Sequence, residues 1–113
     1  MANQRKTKSP ANDRFIAVVG SDEGAVKKRA HELAKELAPF GVRVNAVSPG
    51  VIDTRYHEQF SSPEMMKGYV AAIPLGRVGT PDEVADVICF LASDAASYLA
   101  GETIEVNGGM FMD

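Results

Sequence analysis

The chain has 113 residues, 45% of them hydrophobic and 24% charged, with a formal net charge of −3. This length suits one small domain of about 100–200 residues, and the slight negative charge gives its body no electrostatic reason to bind nucleic acid. No apolar stretch approaches the ~20 residues that span a bilayer, so a membrane partner is not expected, and the single cysteine, Cys89, excludes an intramolecular disulfide.

Residues 1–14 are polar and basic without apolar periodicity, and read as a disordered tail ahead of a single α/β domain over 15–113. Arg5, Lys6 and Lys8 form a basic cluster there, read as a solvated leader. No apolar run comes after that charge, so a secretory signal is not expected and the chain reads as cytoplasmic.

Phe15–Val19 is a short continuous apolar run closed by Gly20, the pattern of a buried parallel strand. A turn over 20–24 leads into a helix over 25–38. Val26, Ala30, Leu33, Ala34 and Leu37 share one face of it, and Pro39 and Gly41 stop it. Val42–Val47 alternates apolar and polar residues and reads as a second strand, ended by Ser48-Pro49-Gly50.

The next stretch, 51–80, is less regular. Ser62-Pro63-Glu64 opens a short helix over 64–72. Thr80-Pro81-Asp82-Glu83 carries a capping-box spacing and opens a helix over 82–92. That helix is apolar almost all round, so it needs cover on more than one side, part of it from a partner chain. Cys89 lies within it and reads as a small core residue in a reducing compartment. Thr103–Val106 is a last strand. Strands alternating with helices predict an α/β layer with a mostly parallel sheet of about three strands.

Three segments then stand out: RVNAVSPGVIDT from Arg43, PLGRVGTPDEVADVICFLASDAASYLAG from Pro74, and VNGG from Val106. In this order and spacing they resemble the carboxyl-terminal part of a short-chain dehydrogenase/reductase. The resemblance implies a partial Rossmann-like layer and an NAD or NADP cofactor. It assigns Pro49, Gly50, Val51, Ile52 and Thr54 to the nicotinamide end of that cofactor. Pro49 ends ladder pairing, Gly50 admits close backbone approach to a flat ring, and Thr54 offers a hydroxyl. It also implies a substrate loop over 55–75, in which Tyr56, His57, Phe60, Met65 and Met66 line a pocket. His57 can titrate near neutral pH but reads as a solvated loop histidine, and His31 reads as exposed. Related enzymes assemble through the helix at 82–92 and the last strand, so a homo-oligomer is implied.

The family's Tyr-x-x-x-Lys pair is not in this sequence. Four residues beyond Tyr56, Tyr69 and Tyr98 stand Phe60, Ile73 and Glu102. Aligning the helix from Gly24 puts Val19 at the tyrosine position and Glu23 at the lysine position. Valine transfers no proton, and a carboxylate raises a neighbouring phenol's pKa where an ammonium lowers it. A competing alignment reads FIAVVGSDEG as a first strand and glycine loop. Gly20 and Gly24 match, but Val26 replaces the last glycine, and the segment reads as a helix-start turn. These departures imply a truncated or rearranged family member without independent oxidoreductase activity. The alternatives are a subunit completed by a partner chain or by domain swapping, and a nucleotide-binding or interaction module without chemistry.

Overall fold

The computed structural model describes residues 14–18 and 23–112, with side chains over 24–112. The tail expected over 1–14 lies outside the described residues except for Arg14, which already belongs to a strand. Of the turn expected over 20–24, residues 20–22 also lie outside the described residues, and Glu23 and Gly24 already belong to a helix.

Three parallel strands form one sheet in the order β1-β2-β3: β1 is Arg14–Val18, β2 is Val42–Pro49 and β3 is Thr103–Val106. Helix α1 (Glu23–Leu37) joins β1 to β2. It ends in a 3₁₀ turn over Ala38–Phe40, where Gly41, at φ 75°, donates its N–H to the Ala38 carbonyl. Pro39 and Gly41 stop the helix for the reasons their residue types suggest. Helices α2 (Arg55–Phe60), α3 (Pro63–Ala72) and α4 (Pro81–Ala92) lie between β2 and β3. The architecture is the expected α/β layer. The segment expected to be irregular contains α2, a single turn and a half that has no apolar stripe to betray it.

β2 is the middle strand, and Arg43, Val44, Asn45, Ala46 and Val47 are all buried. Successive side chains of a strand point to opposite faces. Ala46 packs against Val26 and Ala30 of α1, and Val47 packs against Leu91 and Ala96, under Val84, Val87 and Ile88 of α4. The alternation of VRVNAV therefore does not mark a solvated face. The polar residues point at α4 and the crossover beyond it.

There they satisfy the backbone. Arg43 Nη1 donates to the Leu91 carbonyl at 2.8 Å and the Ala96 carbonyl at 3.0 Å, and Nη2 reaches the Ser93 carbonyl at 3.4 Å. The Leu91 carbonyl belongs to the last turn of α4, where carbonyls lack helical partners and the helix dipole favours a cation, while the Ser93 and Ala96 carbonyls lie in the turn beyond it and also accept from the Ala96 and Leu99 amides. Asn45 donates to the Leu99 carbonyl at 3.0 Å and accepts from the Glu102 amide at 3.0 Å. Two buried side chains of β2 thus fix the entire crossover from α4 into β3.

α4 turns one stripe to the sheet. Leu91 is buried and Val84, Val87 and Ile88 are partly so, while Ala85, Cys89 and Phe90 face outward. Cys89 is exposed, not a core residue as its apolar neighbours suggested. Within this chain the helix is covered on one side only, so the residues of its far side stay out.

Replacing Arg43 by alanine removes the side-chain donor from the Leu91 carbonyl, at a cost of about 1–3 kcal/mol, and takes the second partner from the Ser93 and Ala96 carbonyls, which keep their backbone donors. Urea unfolding of Arg43→Ala is expected to show a loss of roughly 2–4 kcal/mol. Arg43→Lys, with a single ammonium in place of a fork, should lose less. An unchanged midpoint in both variants would contradict this role.

Candidate nicotinamide-facing cleft

The carboxyl end of β2 is held in place by backbone contacts. The Gly50 amide donates to the Val106 carbonyl at 2.9 Å. A Cβ on Gly50 would stand 2.7 Å from Asn107 Cβ and 3.0 Å from Asn107 Cα. The close approach that requires glycine here is therefore to the exit of β3. Beyond it, Ile52 bridges Gly79 in parallel pairing. The Gly79 amide donates to the Val51 carbonyl at 3.0 Å, and the Asp53 amide to the Gly79 carbonyl at 2.8 Å.

These ties open a cleft of about 410 Å³ beside the strand end. Pro49, Gly50, Ile52 and Thr54 form one part of its wall, Tyr56 and His57 of α2 another, and Pro81 and Val84 of α4 close it. Four of the five residues expected at a nicotinamide thus share one cleft. Val51 does not join them: it lines a second cleft of about 290 Å³ with Ile73, Arg77, Glu83 and Asn107. Thr54 is the N-cap of α2 but makes no side-chain capping bond, so that role does not occupy its hydroxyl.

The expected substrate-loop residues divide. Tyr56 and His57 line the cleft, whereas Phe60, Met65 and Met66 are not part of its wall. His57 is half-buried on a helix, not solvated on a loop. Its Nδ1 lies 2.9 Å from Ser61 Oγ, and its ring meets Tyr56 edge-on at 5.4 Å and Tyr69 of α3 at 5.8 Å. His31 is exposed on α1, as expected. Phe60, four residues beyond Tyr56, stacks obliquely on it at 5.1 Å. Val19 and the side chain of Glu23 lie outside the described residues.

The start of α4 forms the rim of the second cleft. Thr80 and Glu83 make the expected capping box. Glu83 is also gripped by Arg77, whose two terminal nitrogens donate to its two carboxylate oxygens, both at 2.8 Å. The arginine first, then the Thr80 backbone amide, holds the Glu83 carboxyl down from 4.5 to about 2. Arg77 and Asn107 were not singled out from the sequence. Their signal was spacing: Arg77 stands six residues before Glu83, and Asn107 comes directly after β3.

Among the described residues no helix is long and apolar enough to cross a membrane, and no cluster of His, Cys, Asp and Glu could hold a metal ion.

Comparison with known proteins adds lineage to this geometry. The family model described as enoyl-(acyl carrier protein) reductase matches residues 14–111. The chain is 57% identical over 79 residues to a 3-oxoacyl-(acyl-carrier-protein) reductase of Aquifex aeolicus, covering 70% of this chain and 32% of that protein. It is 49% identical over 92 residues to protein FixR of Bradyrhizobium diazoefficiens, covering 81% and 32%. A short-chain dehydrogenase/reductase from Brucella melitensis superposes with a TM-score of 0.74 at 45% identity, over 80% of this chain and 36% of that one. A 7α-hydroxysteroid dehydrogenase solved with NADH superposes at 0.73 with 31% identity, over 76% and 34%. The chain spans about a third of the length of these relatives.

Two outcomes test the geometry. Gly50→Ala forces its Cβ onto Asn107 and should cost about 1–3 kcal/mol. The double variant with Asn107→Gly should recover part of that loss in thermal unfolding, and strict additivity would show that the two positions do not meet. For Glu83, the lowered folded pKa means a stabilising contribution complete above 4.5 and lost as pH falls from there through about 2. Stability of the wild type should therefore decline over that window more than that of Glu83→Gln, measured by denaturation across pH.

Proposed function

The chain belongs to the short-chain dehydrogenase/reductase family, and from that premise we propose that its 113 residues carry the nicotinamide-facing part of an NAD(P) site but do not by themselves run the family's carbonyl–alcohol chemistry. In this reading Pro49, Gly50, Ile52 and Thr54 face the cofactor, and Val51 ties the strand end to Gly79 through its carbonyl.

The donor set of the cleft supports the cofactor half of the reading. Pro49, Ile52 and Val84 give apolar walls for a flat ring, and Thr54 gives a hydroxyl for an amide or phosphate. Among the described residues no carboxylate lines the cleft to repel a phosphate. When bound, NAD(P)H supplies a hydride. The chain's own groups bind and orient the ring, and the apolar wall excludes water from one side of it.

The observation that carries the other half is the missing proton donor. No tyrosine here has a lysine four residues on. Tyr56 is the one tyrosine in the cleft wall, and its corresponding neighbour is Phe60. A positioned acid–base group contributes about 10²–10⁴-fold to rate, and a phenylalanine can neither lower a phenol's pKa nor hold a ribose. The chain is then a catalytically silent relative of an oxidoreductase, cytoplasmic in keeping with its composition.

A second reading has a specific observation behind it. The outward face of α4 exposes Ala85, Cys89 and Phe90, the last 45% exposed, and β3 is a sheet edge. Both suit a homo-oligomer through the helix at 82–92 and the last strand, in which another chain completes the site. A nucleotide-binding module without chemistry is the third reading.

Purified protein incubated with NADH or NADPH and a panel of carbonyl compounds is expected to consume no cofactor above background. Turnover at an ordinary enzymatic rate would sink the first reading. Light scattering that finds only monomer at micromolar concentration would remove the second, and calorimetry showing no saturable cofactor binding would remove the third together with the cofactor half of the first.

A further inference from the structure

The cleft contains one side chain whose chemistry the family reading does not use. His57 sits on α2, a turn beyond Thr54, and lines the same cleft. Three contacts hold its ring. Ser61 Oγ engages Nδ1 at 2.9 Å, Tyr56 meets the ring edge-on, and Tyr69 approaches it from α3. No other hydrogen bond reaches the ring among the described residues, so Nε2 is the nitrogen left for a ligand.

The electrostatic inventory of the wall points to the sign of that ligand. Of the described residues lining the cleft, Thr54 and Tyr56 offer hydroxyls and His57 an imidazole, and none of these described residues is a carboxylate or an ammonium. Asp53, Arg55 and Glu58 are exposed and lie outside the lining. Hydrogen-bond donors beside an apolar wall, with no fixed negative charge, suit a ligand that joins a flat apolar ring to an anionic group. The 2.9 Å contact between Nδ1 and Ser61 Oγ fits either direction of donation; in the tautomer where Ser61 donates to Nδ1, the ring proton is on Nε2 and faces a ligand as a donor.

We propose that His57, oriented by Ser61, is a phosphate-positioning residue of this cleft, donating from Nε2 to the phosphate next to the nicotinamide riboside. The proposal rests on the reading of the cleft as the nicotinamide end of the site. It adds a contact from α2 that neither Pro49-Gly50 nor Thr54 provides, and it makes the anion the handle by which a short, open cleft holds its ligand.

Two probes that differ only in the phosphate separate the proposal from the reading beneath it. The full 113-residue chain is titrated with nicotinamide mononucleotide and with nicotinamide riboside, following the imidazole resonances of His57 by NMR. The mononucleotide should bind about tenfold or more tightly than the riboside, the range of one charge-assisted hydrogen bond. It alone should shift the His57 signals strongly. His57→Ala should abolish that preference, with both probes then binding alike, while the amide spectrum stays that of a folded chain and changes only around α2 and α3. His57→Gln, whose amide nitrogen can still donate, should retain part of the preference. Equal affinities for the two probes, or a preference that survives in His57→Ala, would overturn the role of His57 and leave the nicotinamide reading intact. Failure of both probes to bind would overturn the nicotinamide reading, and the proposal with it.

Discussion

The interaction on which the rest depends is the buried grip of β2 on the segment after α4. Arg43 reaches three carbonyls at and beyond the helix end, and Asn45 takes one carbonyl and one amide of the crossover. A guanidinium at 8% exposure is costly to desolvate. It persists here because its donors meet a last-turn carbonyl of α4 and two carbonyls of the turn beyond it, and because the helix dipole is negative at that end. Once α4 is fixed at its carboxyl end by β2, and just ahead of its amino end by the Gly79 bridge to Val51 and Asp53, its position over the sheet has little freedom left.

That constraint is what shapes the cleft. β3 enters the sheet where Asn45 directs it, so Val106 and Asn107 arrive beside Gly50 close enough to exclude a side chain there. The loop ahead of α4 arrives beside Val51–Asp53 and is bridged to it through Gly79. The wall of the 410 Å³ cleft is therefore a product of crossover geometry. It requires no catalytic residue to exist. The residues that line the cleft are carried on β2, the segment after it and α4, whose relative placement Arg43, Asn45 and Gly79 hold.

Much of this was legible in the sequence, and the part that was not has a physical cause. The helix starts at Ser62 and Thr80 were readable because capping is local: a hydroxyl, a proline and, for α4, a glutamate at fixed offsets suffice. The end of α1 was readable because Gly41 takes a positive φ that few other residues adopt. Arg43 and Asn45 sit inside a recognisable motif, but their task was hidden, since their partners lie about 50 residues away in the chain. Alternation in VRVNAV looks the same whether the polar face meets water or caps a helix. Cys89 misled for a related reason. An apolar run shows that a helix is hydrophobic, not which of its sides a given fold covers. Gly50 was marked for closeness, and closeness is present, but to Asn107 and not to a ligand alone.

Proline, glycine and hydrophobic pattern therefore outline the scaffold, while the polar groups that lock it require the fold to be seen. The same asymmetry governs the cleft. Pro49, Gly50, Ile52 and Thr54 could be grouped because they are consecutive or nearly so. His57 could be grouped with a pocket-lining loop, but its half-buried place on a helix could not be read, since α2 has no amphipathic stripe and Tyr69 comes from another helix. A histidine held by a serine on its own helix and by tyrosines on either side has lost much of its rotational freedom, so a hydrogen bond from Nε2 to a ligand costs less ordering entropy than one from a solvated side chain. In a chain whose tyrosines lack the neighbouring lysine, such a fixed donor is better suited to holding a ligand than to reacting with it.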